Sequence, residues 1–220
     1  MMTNSNGSAA SLKAMPDVTT DEQKDTAWVT IEIPVHPGKV FDFLQNTERL
    51  FRLNPYLDIK QWEAHSSAKR FHLNALNEMN GVAYDLFVTQ EDVQPDTCFL
   101  LSYDQGLKKS MEITLQPGAT TGSIVTLRDR YHTPTGENPE DQLKEVDRSL
   151  IPWANAIRQY LLGLERWGWF RPYRWYRERF WLNMRPFHRR ITRMLIWVTA
   201  LEFIVFLFVF TIYWLELMRR

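Results

Sequence analysis

WVTIEIPVHPGKVFDFLQNTERLFRLNP, residues 28–55, changes its hydrophobic period once, and that change decides the fold. From Trp28 to Val35 the chain alternates, apolar at Val29, Ile31 and Ile33 against polar Thr30 and Glu32. Alternation of this kind marks a half-buried strand. His36-Pro37-Gly38 then turns the chain. Beyond it Val40, Phe41, Leu44, Leu50, Phe51 and Leu53 form a helical apolar face, which Asn54-Pro55 ends.

Downstream the text is strands broken by turn chemistry. Strands are predicted over Asp58–Ala64, Arg70–Asn77, Val82–Gln90, Thr97–Asp104, Ser110–Gln116 and Ser123–Tyr131. The breaks are Asn80-Gly81, Gln94-Pro95-Asp96, Gln105-Gly106 and the stretch from Pro117-Gly118 to Gly122. Asn-Gly and short spacings of this kind favour antiparallel hairpins. A helix follows, with Leu143, Val146, Leu150, Trp153, Ile157, Tyr160, Leu161 and Leu164 along one stripe and Pro152 marking a kink or a fresh start. The order predicts an α+β fold in which one long helix covers the apolar face of a curved antiparallel sheet.

Ile33-Pro34-Val35-His36-Pro37-Gly38-Lys39-Val40-Phe41-Asp42-Phe43-Leu44, with Arg52-Leu53-Asn54-Pro55 after it, resembles the opening of the START-like superfamily, most closely its bacterial polyketide cyclase/lipid-transport branch. The resemblance runs from about Ala27 to about Leu164. It implies a helix-grip fold, in which about seven strands wrap a C-terminal helix and leave an apolar cavity between them. It also implies a ligand of lipid, sterol, quinone, hormone or polyketide type, and it does not require catalysis.

Residues 194–215, MLIWVTALEFIVFLFVFTIYWL, are apolar apart from Thr199, Glu202 and Thr211. A helix rises about 1.5 Å per residue and hydrocarbon is about 30 Å thick, so roughly 20 such residues span a bilayer. The formal charge is zero for the whole chain but unevenly divided. Residues 1–165 carry 15 basic against 23 acidic side chains, whereas 166–220 carry 11 arginines against Glu178, Glu202 and Glu216. Seven of those arginines lie in residues 174–193 and only Arg219 and Arg220 follow the span, which places the N-terminal part in the cytoplasm. The opening 25 residues are polar and without an apolar run, as expected of a disordered segment and not of a secretory signal. Cys98 is the only cysteine, which excludes an internal disulfide and cysteine-rich metal sites. The expected organisation is a disordered segment (1–26), a ligand-binding domain (27–165), a basic-aromatic interface segment (166–193), a transmembrane helix (194–217) and a short tail (218–220).

The sequence points to no metal, cofactor or catalytic residue. His36, His65, His72, His132 and His188 stand at no metal-ligand spacing, and no nucleophile elbow, Walker or Rossmann glycine pattern exists. On the last strand Val125, Leu127, Asp129 and Tyr131 share one face, opposite Thr126, Arg128, Arg130 and His132. Asp129 and Tyr131, with Tyr84 and Tyr103, could orient a polar headgroup in an apolar pocket. Equally, Asp129 could pair with Arg128 or Arg130 at the rim. The apolar lining would come from Phe71, Leu73, Leu86, Met111, Ile113 and Leu127 on the sheet, and Trp153 and Ile157 on the helix. Core packing explains these eight equally well.

Between domain and span, Phe170, Tyr173, Arg177, Phe180, Met184 and Phe187 fall near one helical stripe, with Arg189 and Arg190 after it. Rings and guanidinium groups together suit a helix on the headgroups better than nucleic acid, because a span adjoins them. Glu202 lies about 12 Å into the span. With Thr199 and Phe206 it marks a face for another membrane helix, unless it is protonated towards lipid or snorkels. Two functions fit: a tethered carrier of a hydrophobic molecule at the cytoplasmic leaflet, or an accessory subunit of a membrane complex. A cyclase using Asp129, Tyr131 or His132 is the weaker third.

Overall fold

The computed structural model describes residues 26–65, 69–118, 121–132 and 149–219. β1 (Thr26–Ile33) leads through α1 (Pro37–Leu44) and α2 (Thr47–Arg52) into β2 (Leu57–His65). β3 (Arg70–Asn77), β4 (Ala83–Gln94), β5 (Cys98–Tyr103), β6 (Lys108–Pro117) and β7 (Ser123–Tyr131) follow as antiparallel neighbours. β7 then pairs with β1, giving the order β1-β7-β6-β5-β4-β3-β2. α3 (Leu150–Trp167) runs alongside β1 and buries Trp153, Ile157, Tyr160 and Leu161 against the sheet. This is the expected α+β helix-grip arrangement.

Local chemistry explains the entry to the sheet. The Gly38 N–H donates to His36 Nδ1 at 3.2 Å, and Pro37 opens α1, where its missing N–H costs nothing. The Arg49 N–H donates to Asn46 Oδ1 at 3.1 Å, so the helical run restarts there as α2. Pro152 likewise sits in the first turn of α3, where a proline is tolerated. The predicted stripe residues Leu143 and Val146, like residues 1–25, lie outside the described residues.

β4 runs on to Gln94 across a register shift between Asp92 and Gln94, four residues past its predicted end. β6 begins at Lys108, two residues early, across a shift between Lys108 and Ser110. Such bulges bend a strand and re-aim its side chains. One core results, from Ile33, Val40 and Leu44 through Leu101, Met111 and Leu127 to Trp153. Trp153 Nε1 donates to the Leu50 carbonyl at 2.8 Å, and Ser123 Oγ donates to the Val35 carbonyl at 2.6 Å. These two buried bonds tie α3 to α2 and β7 to the turn after β1.

After α3 the chain is not the single helix that its stripe predicts. It folds as α4 (Arg171–Trp175), a π-helical turn (Tyr176–Trp181) and then α5 (Pro186–Met218). Pro172 and Pro186 each open a helix and so divide the run. α5 has 33 residues and a stretch of mean hydropathy 2.5 with none of it buried against the protein. By length and composition it could cross a membrane.

Candidate functional site

An apolar cavity opens between the sheet and α3. Leu73, Tyr84 and Leu86 line it from β3 and β4, Tyr103 and Tyr131 from the strand ends, and Trp153 from α3. These are six of the predicted lining residues. Phe51, Asn54 and Leu57 close one side, and the β5–β6 turn Gln105-Gly106-Leu107 with Lys108 closes another. Gly106 has φ +94°, which a side chain resists, so glycine suits the tight turn at this wall. The space enclosed is about 50 Å³. That admits a few waters and is well short of the roughly 300–1,000 Å³ usual for a small-molecule pocket.

The other predicted lining residues lie elsewhere. Met111, Ile113, Leu127 and Ile157 are at most 1% exposed and pack in the core. Phe71 stacks on Trp62 with ring centroids 5.2 Å apart. Asp129 stands behind the cavity wall, fully buried, with Oδ2 2.7 Å from Lys108 Nζ. The Tyr131 hydroxyl donates to the same oxygen at 3.4 Å. Arg128 and Arg130 are not its partners: they face Glu112 at 3.7 and 3.1 Å. Lys108 also lies over the Tyr103 and Trp153 rings, at 5.4 and 5.7 Å. The cavity therefore ends in a lysine head held by a buried carboxylate and flanked by rings. Such an end can hydrogen-bond a carbonyl, hydroxyl or acidic headgroup on an otherwise apolar molecule.

Lys108 was not foreseen, because a lysine beside a Gly turn reads as solvated. The bulge at Lys109 shifts the alternation that puts Met111 and Ile113 inside, so Lys108 joins their side of the sheet. His132 is exposed, and the structure does not bring it to Tyr131 and Asp129 in the cavity. Among the described residues no three His, Cys, Asp or Glu side chains converge as a metal site would need.

In the basic-aromatic segment Phe170, Phe180 and Phe187 are exposed, whereas Arg177 and Arg189 point inward. The Arg177 guanidinium lies 4.7 Å from the Tyr160 ring and 5.9 Å from that of Tyr173. Arg189 is 8% exposed and donates to the Met184 and Leu182 carbonyls at 2.8 and 3.4 Å. Arg190 pairs with Glu78 of the domain. Glu202 and Phe206 stand on the exposed surface of α5, where Phe206 stacks on Phe210 at 6.2 Å.

No protein-family model matches this sequence, and no curated protein matches it. Solved structures share its fold. XoxI of Bacillus cereus aligns over 64% of this chain and 98% of its own, at 17% identity and a TM-score of 0.50. A conserved protein from Geobacillus kaustophilus aligns over 63% of this chain and 96% of its own, at 15% identity and a TM-score of 0.50. A START superfamily protein from Mycobacterium smegmatis aligns over 64% and 99%, at 12% identity and a TM-score of 0.49. At such identities the likeness is one of fold.

Proposed function

We propose that this protein is a membrane-tethered binder of a hydrophobic small molecule, of the lipid, sterol, isoprenoid or quinone class, which it exchanges with the cytoplasmic leaflet. The observation that supports this best is the cavity, with apolar and aromatic walls ending in the Lys108 head, in a chain that also carries a 33-residue helix with a long apolar stretch. The likeness of residues 33–55 to the polyketide cyclase/lipid-transport branch of the START-like superfamily supports the same reading. A ligand of that class is larger than the cavity of about 50 Å³ and must displace side chains to enter it. Burial returns roughly 25 cal/mol per Å² of apolar contact taken from water. A bilayer already shields such a molecule, so the net gain is small, which suits exchange better than storage. The tether raises the effective concentration of the cavity at its source.

The small cavity favours a second reading, an accessory subunit whose domain is filled by its own side chains and whose exposed α5 docks in a membrane complex through Glu202 and Phe206. One experiment separates them. The full-length protein is extracted in mild detergent, and native and denaturing mass spectra are taken from the same sample. The first reading expects a stoichiometric small apolar molecule released on denaturation. An empty domain recovered with other membrane subunits would replace it with the second.

A further inference from the structure

A second cavity lies at the foot of α5, and its wall carries much more positive charge than that of the first. It encloses about 100 Å³; four arginines, Arg177, Arg189, Arg190 and Arg193, enter an otherwise largely apolar wall that includes Tyr160 and Trp181 and no acidic residue. Arg190 is compensated by Glu78. Arg177, Arg189 and Arg193 pair with no carboxylate among the described residues; Arg189 instead feels the positive charge of Arg52 and Arg177. Two buried polar atoms here lack hydrogen-bond partners, the Tyr160 hydroxyl and Arg177 Nε. Tyr160 is 1% exposed and forms part of the cavity wall. Burial pushes the Tyr160 hydroxyl above its usual pKa although Arg177 opposes the shift, and burial pushes Arg177 below its own.

Clustered, partly buried positive charge beside an orphaned hydroxyl is costly unless an anion completes it. We infer that this cavity holds the phosphate group of an anionic membrane phospholipid. A phosphate offers strong acceptors for the Arg177 and Arg193 N–H groups and the Tyr160 O–H together. The enclosed volume suits one such group and not a polyanionic chain. Its height selects the lipid over soluble phosphate: Arg193 immediately precedes Met194, where the apolar run begins. The guanidinium carbons of Arg177 and Arg193 both lie near the Trp181 ring, at 5.6 and 5.8 Å from its centroid. An aromatic ring beside cations is suited to the headgroup layer. The inference rests on the membrane tether of the proposed function and is independent of the apolar cavity.

The test is calorimetric titration of the full-length protein in dodecyl maltoside with dihexanoylphosphatidylglycerol and, separately, with inorganic phosphate. The lipid should bind saturably and at least about ten-fold more tightly than inorganic phosphate. The double variant Arg177→Gln/Arg193→Gln should weaken it by about ten-fold or more, as expected for charge-assisted bonds. Tyr160→Phe keeps the packing and removes only the hydroxyl, so it should weaken the lipid about five-fold without lowering the unliganded Tm. Undiminished lipid binding by both variants would overturn the site, and equal affinity for inorganic phosphate would overturn the lipid assignment. A domain that is empty in the mass spectra yet shows this variant-sensitive titration would remove the carrier function and leave the phosphate site standing.

Discussion

Lys108 meets Asp129 at 2.7 Å because one extra residue at Lys109 turns its side chain inward. The carboxylate is fully buried and the lysine side chain 17% exposed. Removing one partner of such a pair strands the other charge at a cost of about 3–5 kcal/mol, whereas replacing both by apolar groups is often neutral. Lys108→Met should therefore lower stability by about 3 kcal/mol, and Lys108→Met/Asp129→Leu should recover most of the loss. Urea unfolding of both variants in detergent measures it; a double variant no better than the single would show that the pair is not a unit. Sequence placed Asp129 and Tyr131 on the inner face of β7 by simple alternation, but no pattern announces a bulge on the neighbouring strand. Cys98 offers a second check. It is 6% exposed, and burial pushes its thiol pKa above the ordinary value, so less thiolate exists at any given pH. Ellman's reagent at pH 8 should react slowly with the folded protein and fully after denaturation. Rapid stoichiometric reaction before denaturation would mean that β5 opens readily.

At the scale of elements, what alternation and turn residues specify was legible: all seven strands, their antiparallel sense and a long helix after them. Ends were less so, since β4 and β6 extend across bulges that depend on their partners. Residues 166–193 show why. Their stripe reads as one amphipathic helix, yet Arg177 and Arg189 turn inward to rings and carbonyls contributed by other elements. A one-dimensional stripe cannot register a guanidinium whose partner lies on another helix. Gly163 of α3 makes that packing close. A Cβ there would stand 2.6 Å from the Tyr173 hydroxyl and 3.6 Å from Arg177 Nη2. Gly163→Leu should thus expel the α4 and π-helical segment while α3 itself, with a better helix former, persists. Limited trypsinolysis in detergent should cut at Arg174 to Arg179 several-fold faster with unchanged far-ultraviolet circular dichroism. Unaltered cleavage would mean that Tyr173 and Arg177 are not held against α3.

For the whole molecule, charge and apolar surface are distributed end to end. An acidic domain stands on a basic foot, and α5 extends from that foot with its apolar surface exposed along its length. A helix of 33 residues is about 50 Å long, more than the roughly 30 Å of hydrocarbon, so its first turns must stand outside the bilayer. Those turns are the ones fastened to the domain, through Arg190 to Glu78 and, just before them, Arg185 to Asp58 at 3.8 Å. If α5 spans, the domain sits against the headgroups with no free linker, and the arginine excess before the span predicts the cytoplasmic side for it. The protein should resist alkaline carbonate extraction, and a chain ending at Arg193 should be released by it. Trypsin should digest the domain in inverted membrane vesicles and spare it in right-side-out ones. The opposite protease pattern would reverse the orientation and place the apolar cavity at the outer leaflet. Release of the intact protein by carbonate would mean that the exposed apolar surface of α5 is covered by a protein partner instead of lipid, because surface of that extent does not stay in water.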